Sequence, residues 1–535
     1  MERNDRKGRL RLDILGVTVL LAVLAGVGLT VLLQGLRDGQ AQTITENIPK
    51  GPALFKGWQK PDVAILVSGQ MHGYLQPCGC SEPQYGGLIR RYNCVKSLRE
   101  KDWPLVAVDL GDIATAASPQ AVLKYTTAMK VLNLMGYSAI AVGKNEFYLP
   151  LEVVEGHALN NPMPRVLAAN LSERVFEPWI IADKVSPKIG IIGLIGPSVV
   201  SQVSKFPNVK FAKNNRDVID RSLKELGAKK PELVVMLYEG TFKEAQSAAQ
   251  FFAAERKKNA QLPNINIILC LEEEEEPSGV PRQVEDTWIL GIGHKGRYVG
   301  VIGAYRDASK PTKFALKYQL VSMGPELNTP KDKLDGHPVM AIFEEYAKDV
   351  KQGGYLTKFP RTKHPVQLAF PNSRYVGSER CADCHPHAFK VWSDSRHSHA
   401  FKTLVDASPL KYPPLRHFDG ECVSCHTVGF NYQSGFADPT NTIKQNQRLI
   451  NVGCESCHGP CSAHESNPQN VAIHKLINPY KSDPKAPPAI QKQRQNQLDH
   501  FCQKCHDIDN DVNWGKVPFH VKWVDRGIIH MTPKK

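Results

Sequence analysis

The residues best suited to chemistry lie near the end of the chain, where Cys-x-x-Cys-His occurs at 381–385, 422–426, 454–458 and 502–506. This spacing is the attachment sequence for c-type haem. The thiol pairs are Cys381 and Cys384, Cys422 and Cys425, Cys454 and Cys457, and Cys502 and Cys505. Each thiol of a pair can form a thioether to a haem vinyl group. The adjoining His385, His426, His458 or His506 then ligates the iron on its proximal side. Paired Cys-x-x-Cys units also build structural zinc sites. Zinc, however, does not require a histidine directly after the second cysteine in every copy. Four covalently bound c-type haems are therefore expected between 373 and 535. That segment has few long apolar periods and would make a poor core alone, so its folding should depend on the porphyrins.

The rest of the chain must position and house this segment. At 535 residues, 42% apolar and 22% charged, two or three globular units are expected. Lys and Arg exceed Asp and Glu by 67 to 53, a net charge of +14. Such a balance suits nucleic acid, anionic lipid or an acidic partner. No basic run interleaved with aromatics occurs, which argues against nucleic acid and for a docking or membrane-side feature. Of 13 cysteines, the motifs leave Cys78, Cys80, Cys94, Cys270 and Cys461.

Basic residues at 3, 6, 7, 9 and 11 precede an uncharged stretch from 14 to 33, long enough to span a bilayer as a helix. The flank places a basic tail, 1–12, in the cytoplasm and an anchor at 13–34. A cleaved secretory signal is the competing reading, with Gly39-Gln40-Ala41 as a weak cleavage site. Both readings export the remainder, which agrees with haem attachment outside the bacterial cytoplasmic membrane. The expectation is a single-pass protein of that membrane with its bulk in the periplasm.

A polar linker, 35–60, leads into alternating apolar runs and helical patterns. Residues 63–68, 105–110, 139–142, 189–195, 233–237 and 265–269 read as buried strands. Ser118-Pro119 opens a helix that Gly136 closes. This alternation predicts an α/β layered domain with a largely buried sheet. A linker at 324–372 holds one helix, 339–351. The paired Cys78 and Cys80, in a Pro/Gly turn, are expected to place one disulfide to Cys94. Cys270 ends an apolar run and reads as an inert buried thiol.

Several stretches resemble the 5'-nucleotidase branch of the metallophosphoesterases. They are Gly69-Gln70-Met71-His72-Gly73-Tyr74-Leu75, residues 86–91, Asp109-Leu110-Gly111-Asp112, Gly143-Lys144-Asn145-Glu146-Phe147 and residues 296–300. The resemblance covers 61–323 and implies a four-layer α/β sandwich with two metals at the strand ends. His72 and Asp112 match family metal ligands, but the others depart from the pattern. Gln70 stands for an aspartate, Lys144 for a metal-binding amide, and Asn145 for the transition-state histidine. Tyr238-Glu239-Gly240 replaces a later histidine, and the run 272–276 replaces the closing Gly-His-x-His. A lysine cation repels divalent metal and the imidazoles are mostly gone, so a vestigial, inactive site without divalent metal is the expectation. The glutamate run is expected to stay solvated.

Residues 392–401, the stretch 453–460 followed by His464, and the last motif with Asp507, Asn510 and His530 resemble tetrahaem cytochrome c-554. This likeness spans 374–535 and implies a mainly α and irregular multihaem domain, with close-packed haems mostly ligated by two histidines. Nine histidines remain beyond the proximal four. His397, His399, His464 and His530 are the distal candidates. His387 lies too near its own motif, while His417, His474, His500 and His520 read as surface or hydrogen-bonding residues. Iron with two axial histidines suits electron transfer, so the leading expectation is an electron carrier between a redox-protein or quinol-linked donor and an acceptor. The alternatives are a redox enzyme acting on a small nitrogen or sulfur compound at an open haem, and a phosphoesterase with a non-standard site.

Overall fold

A computed structural model describes residues 54–506 apart from 78–83, 116–117, 162, 173–174, 213–214, 275, 311–312, 406–414, 438–445 and 480–484. The expected anchor at 13–34, Cys78, Cys80, His520 and His530 lie outside the described residues. Among the described residues, no helix is long and apolar enough to cross a membrane.

The runs read as buried strands form strands. β1 (Val63–Ser68), β2 (Leu105–Asp109), β3 (Tyr137–Ala141) and β4 (Arg165–Leu167) are joined by β11 (Tyr298–Arg306) and β12 (Phe314–Ser322) in one sheet of order β12-β11-β1-β2-β3-β4. A second sheet has the order β5-β6-β7-β8-β10-β9. Its strands are β5 (Trp179–Ala182), β6 (Ile189–Ile195), β7 (Leu233–Glu239), β8 (Ile267–Cys270), β9 (Arg282–Val284) and β10 (Thr287–Leu290). Pairing is parallel through β1 to β4 and through β6, β7, β8 and β10, with antiparallel strands at the edges.

Alternation along β1 explains the layering. Val63, Ile65 and Val67 pack between the sheets against Ile191 and Val235, whereas Ala64 and Leu66 face an outer helical layer. Strands apolar on both faces must be covered on both. The outer layer of the first sheet includes α1 (Leu88–Glu100), α2 (Ala121–Leu134), α3 (Leu151–Asn160) and α4 (Pro197–Val203). α5 (Asn215–Ala228) and α6 (Phe242–Lys258) cover the second sheet through Leu223, Leu226, Ala245 and Phe252. The result is the four-layer α/β sandwich of a metallophosphoesterase-like domain.

Two local expectations need correction. Helix α2 starts at Ala121, because Ser118 spends its carbonyl and hydroxyl on the turn ahead of it, accepting from Ala121 N at 3.0 Å and Gln120 N at 3.3 Å. Cys94 is a free thiol with no exposed surface, not a disulfide partner. It packs inside the outer core on α1, and burial pushes it up to about 12.

The linker helix α7 (Pro338–Gln352) packs Val339, Met340 and Phe343 into the same outer core. Beyond it come short helices: α8 (Pro365–Ala369), α9 (Pro386–Ser393), α10 (Lys402–Val405), α11 (Gly420–His426), α12 (Cys454–His458), α13 (Ser462–Ser466), α14 (Val471–Ile477) and α15 (Pro488–Cys502). Two small apolar clusters, centred on Phe430 and on Ile473, are their main cores, and α9 and α15 bury no residue at all.

Candidate functional site

The pocket at the ends of β1, β2 and β7 keeps a strained backbone. Gln70, His72 and Asp112 sit at φ of 49°, 50° and 53°, a region that non-glycine residues leave unless neighbours hold them there. The two loops are zipped together: Gln70 N donates to Gly111 O at 2.8 Å and His72 N to Asp112 O at 2.8 Å.

The side chains in this pocket are occupied with one another. Gln70 Oε1 accepts from Glu272 N at 2.8 Å and its Nε2 donates to Glu272 O at 3.1 Å. An aspartate could not donate, so the substitution turns a metal-ligand position into a direct bond between loops. Asn145 Nδ2 lies 2.8 Å from His72 Nδ1 and donates to Ala114 O at 3.0 Å, while Asn145 N donates to Asp112 Oδ1 at 2.7 Å. Burial, aided by His294, Lys295 and Lys144, holds His72 down to about 4. Burial likewise raises the Asp112 carboxyl. Among the described residues, no group of three or more His, Cys, Asp or Glu is arranged to hold a metal ion.

Three buried acids fill the floor. Asp109 accepts from Ser68 Oγ at 2.5 Å and pairs with Arg91 at 3.4 Å. Glu146 braces the loops, accepting from Asp112 N, Ala114 N and Gly143 N at 2.8–3.0 Å; burial and then Asp112 push it up to about 8. Glu239 closes β7 with 0% exposure and neither carboxyl oxygen has a partner. Burial, then Asp112 and Glu146, hold its pKa well above the ordinary carboxyl range. Glu239 and Glu146 were not singled out as site residues from sequence. The available signal was a lone charged residue ending the otherwise apolar run 233–238.

In the second half, the motif histidines are oriented by the backbone. His426 Nδ1 lies 2.6 Å from Ala400 O and His458 Nδ1 lies 2.7 Å from Ile477 O. A ring nitrogen donating to a carbonyl leaves Nε2 with its lone pair free to bind a metal. His385 lies beside His464 with ring centroids 6.2 Å apart and planes 23° apart, and His397 lies beside His506 with centroids 5.9 Å apart and planes 57° apart. Metal–imidazole bonds of about 2 Å on each side of one ion put two ring centroids roughly 6 Å apart. Burial holds His397 down to about 4, so it is the neutral imidazole that a metal requires.

The other candidates fare differently. His399 is exposed and makes no ring contact with a described proximal histidine. His474 Nε2 lies 2.7 Å from Pro468 O. His417, read from sequence as a surface or hydrogen-bonding residue, is half-buried between Phe401 and Phe418, and its Nδ1 is buried without a partner.

Tertiary contacts set the motifs in two pairs. Cys454 N donates to Ser378 Oγ at 3.1 Å, tying the third motif to the turn Ser378–Cys381 that opens the first. Glu455, inside the third motif, accepts from Val376 N, Gly377 N and Cys461 N at 2.7–3.0 Å, fastening the irregular segment that leads into the first motif. Cys425 Sγ of the second motif lies 3.8 Å from Lys504 O of the fourth. Thiol pairs, fixed imidazole tautomers, paired histidines and sparse apolar cores all fit haem.

Residues 380–459 match the family described as cytochrome c554 and c-prime. Cytochrome c-554 of Nitrosomonas europaea is 32% identical over 95 residues, 16% of this chain and 38% of that protein. The protein UshA of Yersinia enterocolitica is 22% identical over 355 residues, 60% of this chain and 62% of UshA. The chain joins a 5'-nucleotidase-like domain to a cytochrome c-554-type segment. A 5'-nucleotidase of Vibrio cholerae is 29% identical to this fusion over 192 residues, 32% of each protein. Among solved structures, a 5'-nucleotidase precursor from Thermus thermophilus superposes with a TM-score of 0.43 at 18% identity, covering 56% of this chain and 61% of that one. The fusion spans under two thirds of the length of each of these four relatives.

Proposed function

We propose that the fusion is a membrane-anchored, periplasmic tetrahaem c-type cytochrome. It carries electrons between a quinol-linked or redox-protein donor and an acceptor, and its phosphoesterase-like domain is a scaffold and docking module. The observation that carries this reading is the placing of His385 beside His464 and of His397 beside His506, each at the separation of two imidazoles on one metal. Haem, when bound, would supply one-electron chemistry, and His464 and His397 are the residues placed to complete its ligation opposite His385 and His506. His385, His426, His458 and His506 would ligate from the proximal side, and the eight motif thiols would hold the porphyrins. Ala400 and Ile477 keep two of those imidazoles in the ligating tautomer. A divalent metal in the phosphoesterase-like domain is not expected, because Gln70 and Asn145 spend their amides on protein partners and Lys144 adds a cation beside Asp112.

Pyridine haemochrome and intact mass of the purified chain test the reading: four covalent haems are expected, and a chain carrying zinc alone would end it. A redox enzyme acting on a small nitrogen or sulfur compound is the second reading, and it centres on His426. That ring's described neighbours are Ala400 O and Thr403 Oγ1 instead of another imidazole. Cyanide or nitric oxide binding to the ferric protein would favour the enzyme; four low-spin haems with no binding would favour the carrier. Turnover of a nucleotide with added manganese would replace both with a hydrolase.

A further inference from the structure

The second motif sits on a seven-residue helix, α11, and its N-terminal end is gripped by the other domain. Gln120, fully buried ahead of α2, is the centre of that grip. Its Oε1 accepts from Gly420 N at 3.0 Å, and its Nε2 donates to Tyr346 Oη on α7 at 2.8 Å. Tyr346 Oη in turn donates to Asp419 Oδ2 at 3.1 Å. Asp419 is the N-cap of α11, accepting from Glu421 N at 2.9 Å. Glu421, next to Cys422, is bound by Lys124 Nζ and by Ser118 Oγ at 3.2 Å. Arg416, just before α11, donates to Gln76 Oε1 at 2.5 Å.

We infer that the first turn of α2, through Gln120 and Lys124, positions the second haem and sets its potential, so the phosphoesterase-like domain is a working part of the redox centre. The inference rests on the reading of Cys422, Cys425 and His426 as a haem site. Two turns of helix carry both thiols and the proximal imidazole, so the end that is held controls the direction of all three. Gln120 makes this hold specific, because its buried amide satisfies one backbone donor of α11 and one hydroxyl of α7 together. A side chain without that pair of functions leaves the buried Gly420 N–H unpaired and takes away the donor that the Tyr346 hydroxyl accepts from, leaving that hydroxyl only its bond to Asp419. Lys124 acts through charge. Its side chain is 11% exposed, and its ammonium and the Glu421 carboxylate form a nearly neutral pair beside Cys422. Burial opposes the ammonium, and Glu421 and Asp419 more than offset that, so it stays charged. Removing it leaves a carboxylate alone next to the haem attachment site. A negative charge stabilises the oxidised iron relative to the reduced.

The test uses the full-length, haem-loaded protein and its K124M, K124R, Q120L and K130M variants, with redox titration and ferric paramagnetic resonance. K124M is expected to lower the potential of one haem and leave the others in place, K124R to restore it, and Q120L to shift the resonance of one haem at unchanged haem count. K130M removes an exposed lysine of the same helix, paired with Glu345 at 2.9 Å, and is expected to match the wild type. Wild-type potentials and spectra in both K124M and Q120L overturn the inference, as does a K124M shift shared equally by all haems or by K130M. If Q120L does not load haem, K124M against K124R decides the matter. A wild-type chain without covalent haem is a different result, and it removes the cytochrome reading itself.

Discussion

The two halves of the molecule have kept opposite things. The phosphoesterase-like half retains two full sheets, three apolar cores and even the left-handed turns at Gln70, His72 and Asp112, while its pocket is closed by its own side chains. The cytochrome half retains the ligating residues and has little apolar core of its own. A sandwich that buries strands on both faces is held by its own packing, which is independent of any ligand in its loops. A segment whose longest helix buries nothing has little packing of its own, so its folding is expected to depend on its cofactor.

The largest effect expected from this contrast is on folding. Expressed without haem-attachment machinery, the chain should lose residues beyond about 373 to limited proteolysis while the sandwich persists; equal protection of both halves would erase the contrast. Next come single ligands. His464→Ala and His397→Ala should each convert one haem to a high-spin form in paramagnetic resonance, and His399→Ala should convert none.

In the sandwich, effects should be smaller and purely energetic. Glu239 has a folded pKa raised above its ordinary value near 4.5, so the stability linked to it is present below that value and is lost as pH rises. Urea midpoints should therefore fall from about pH 5 upward. Glu239→Gln, which removes the ionisable group, should recover on the order of 2 kcal/mol at pH 8. The smallest expected change is Gln70→Ala, which unpairs both backbone groups of Glu272 for about 1–3 kcal/mol and leaves the haem spectra untouched. A spectral change in that variant would mean that the pocket and the haems communicate.

Much of this was legible before any coordinates. Runs such as 63–67 and 189–195 carry no polar side chain, and such runs have few options besides a covered strand. Strands β4, β5, β9, β10, β11 and β12 were not read from sequence; β4 and β9 span only three residues, and β12 alternates half-exposed positions along a sheet edge. The departures from the family's ligand pattern at Gln70, Lys144 and Asn145 were legible from residue types. How the pocket is filled instead was not: Gln70 finds its partner at Glu272, and Glu239 meets Asp112 and Glu146, only after both sheets have formed.

By itself the sequence determined which residues could hold a haem from the proximal side, because thiols and imidazole share one five-residue turn and their geometry is local. Only the tertiary structure brought two of the distal candidates beside motif histidines. His464 reaches His385, and His397 reaches His506, across long stretches of chain, and neighbouring His399 differs from His397 only in which way the turn points it. The same holds for the grip on α11. Gln120 and Lys124 are ordinary helix-start residues in sequence, and their role exists because folding brings Gly420 and Glu421 against them.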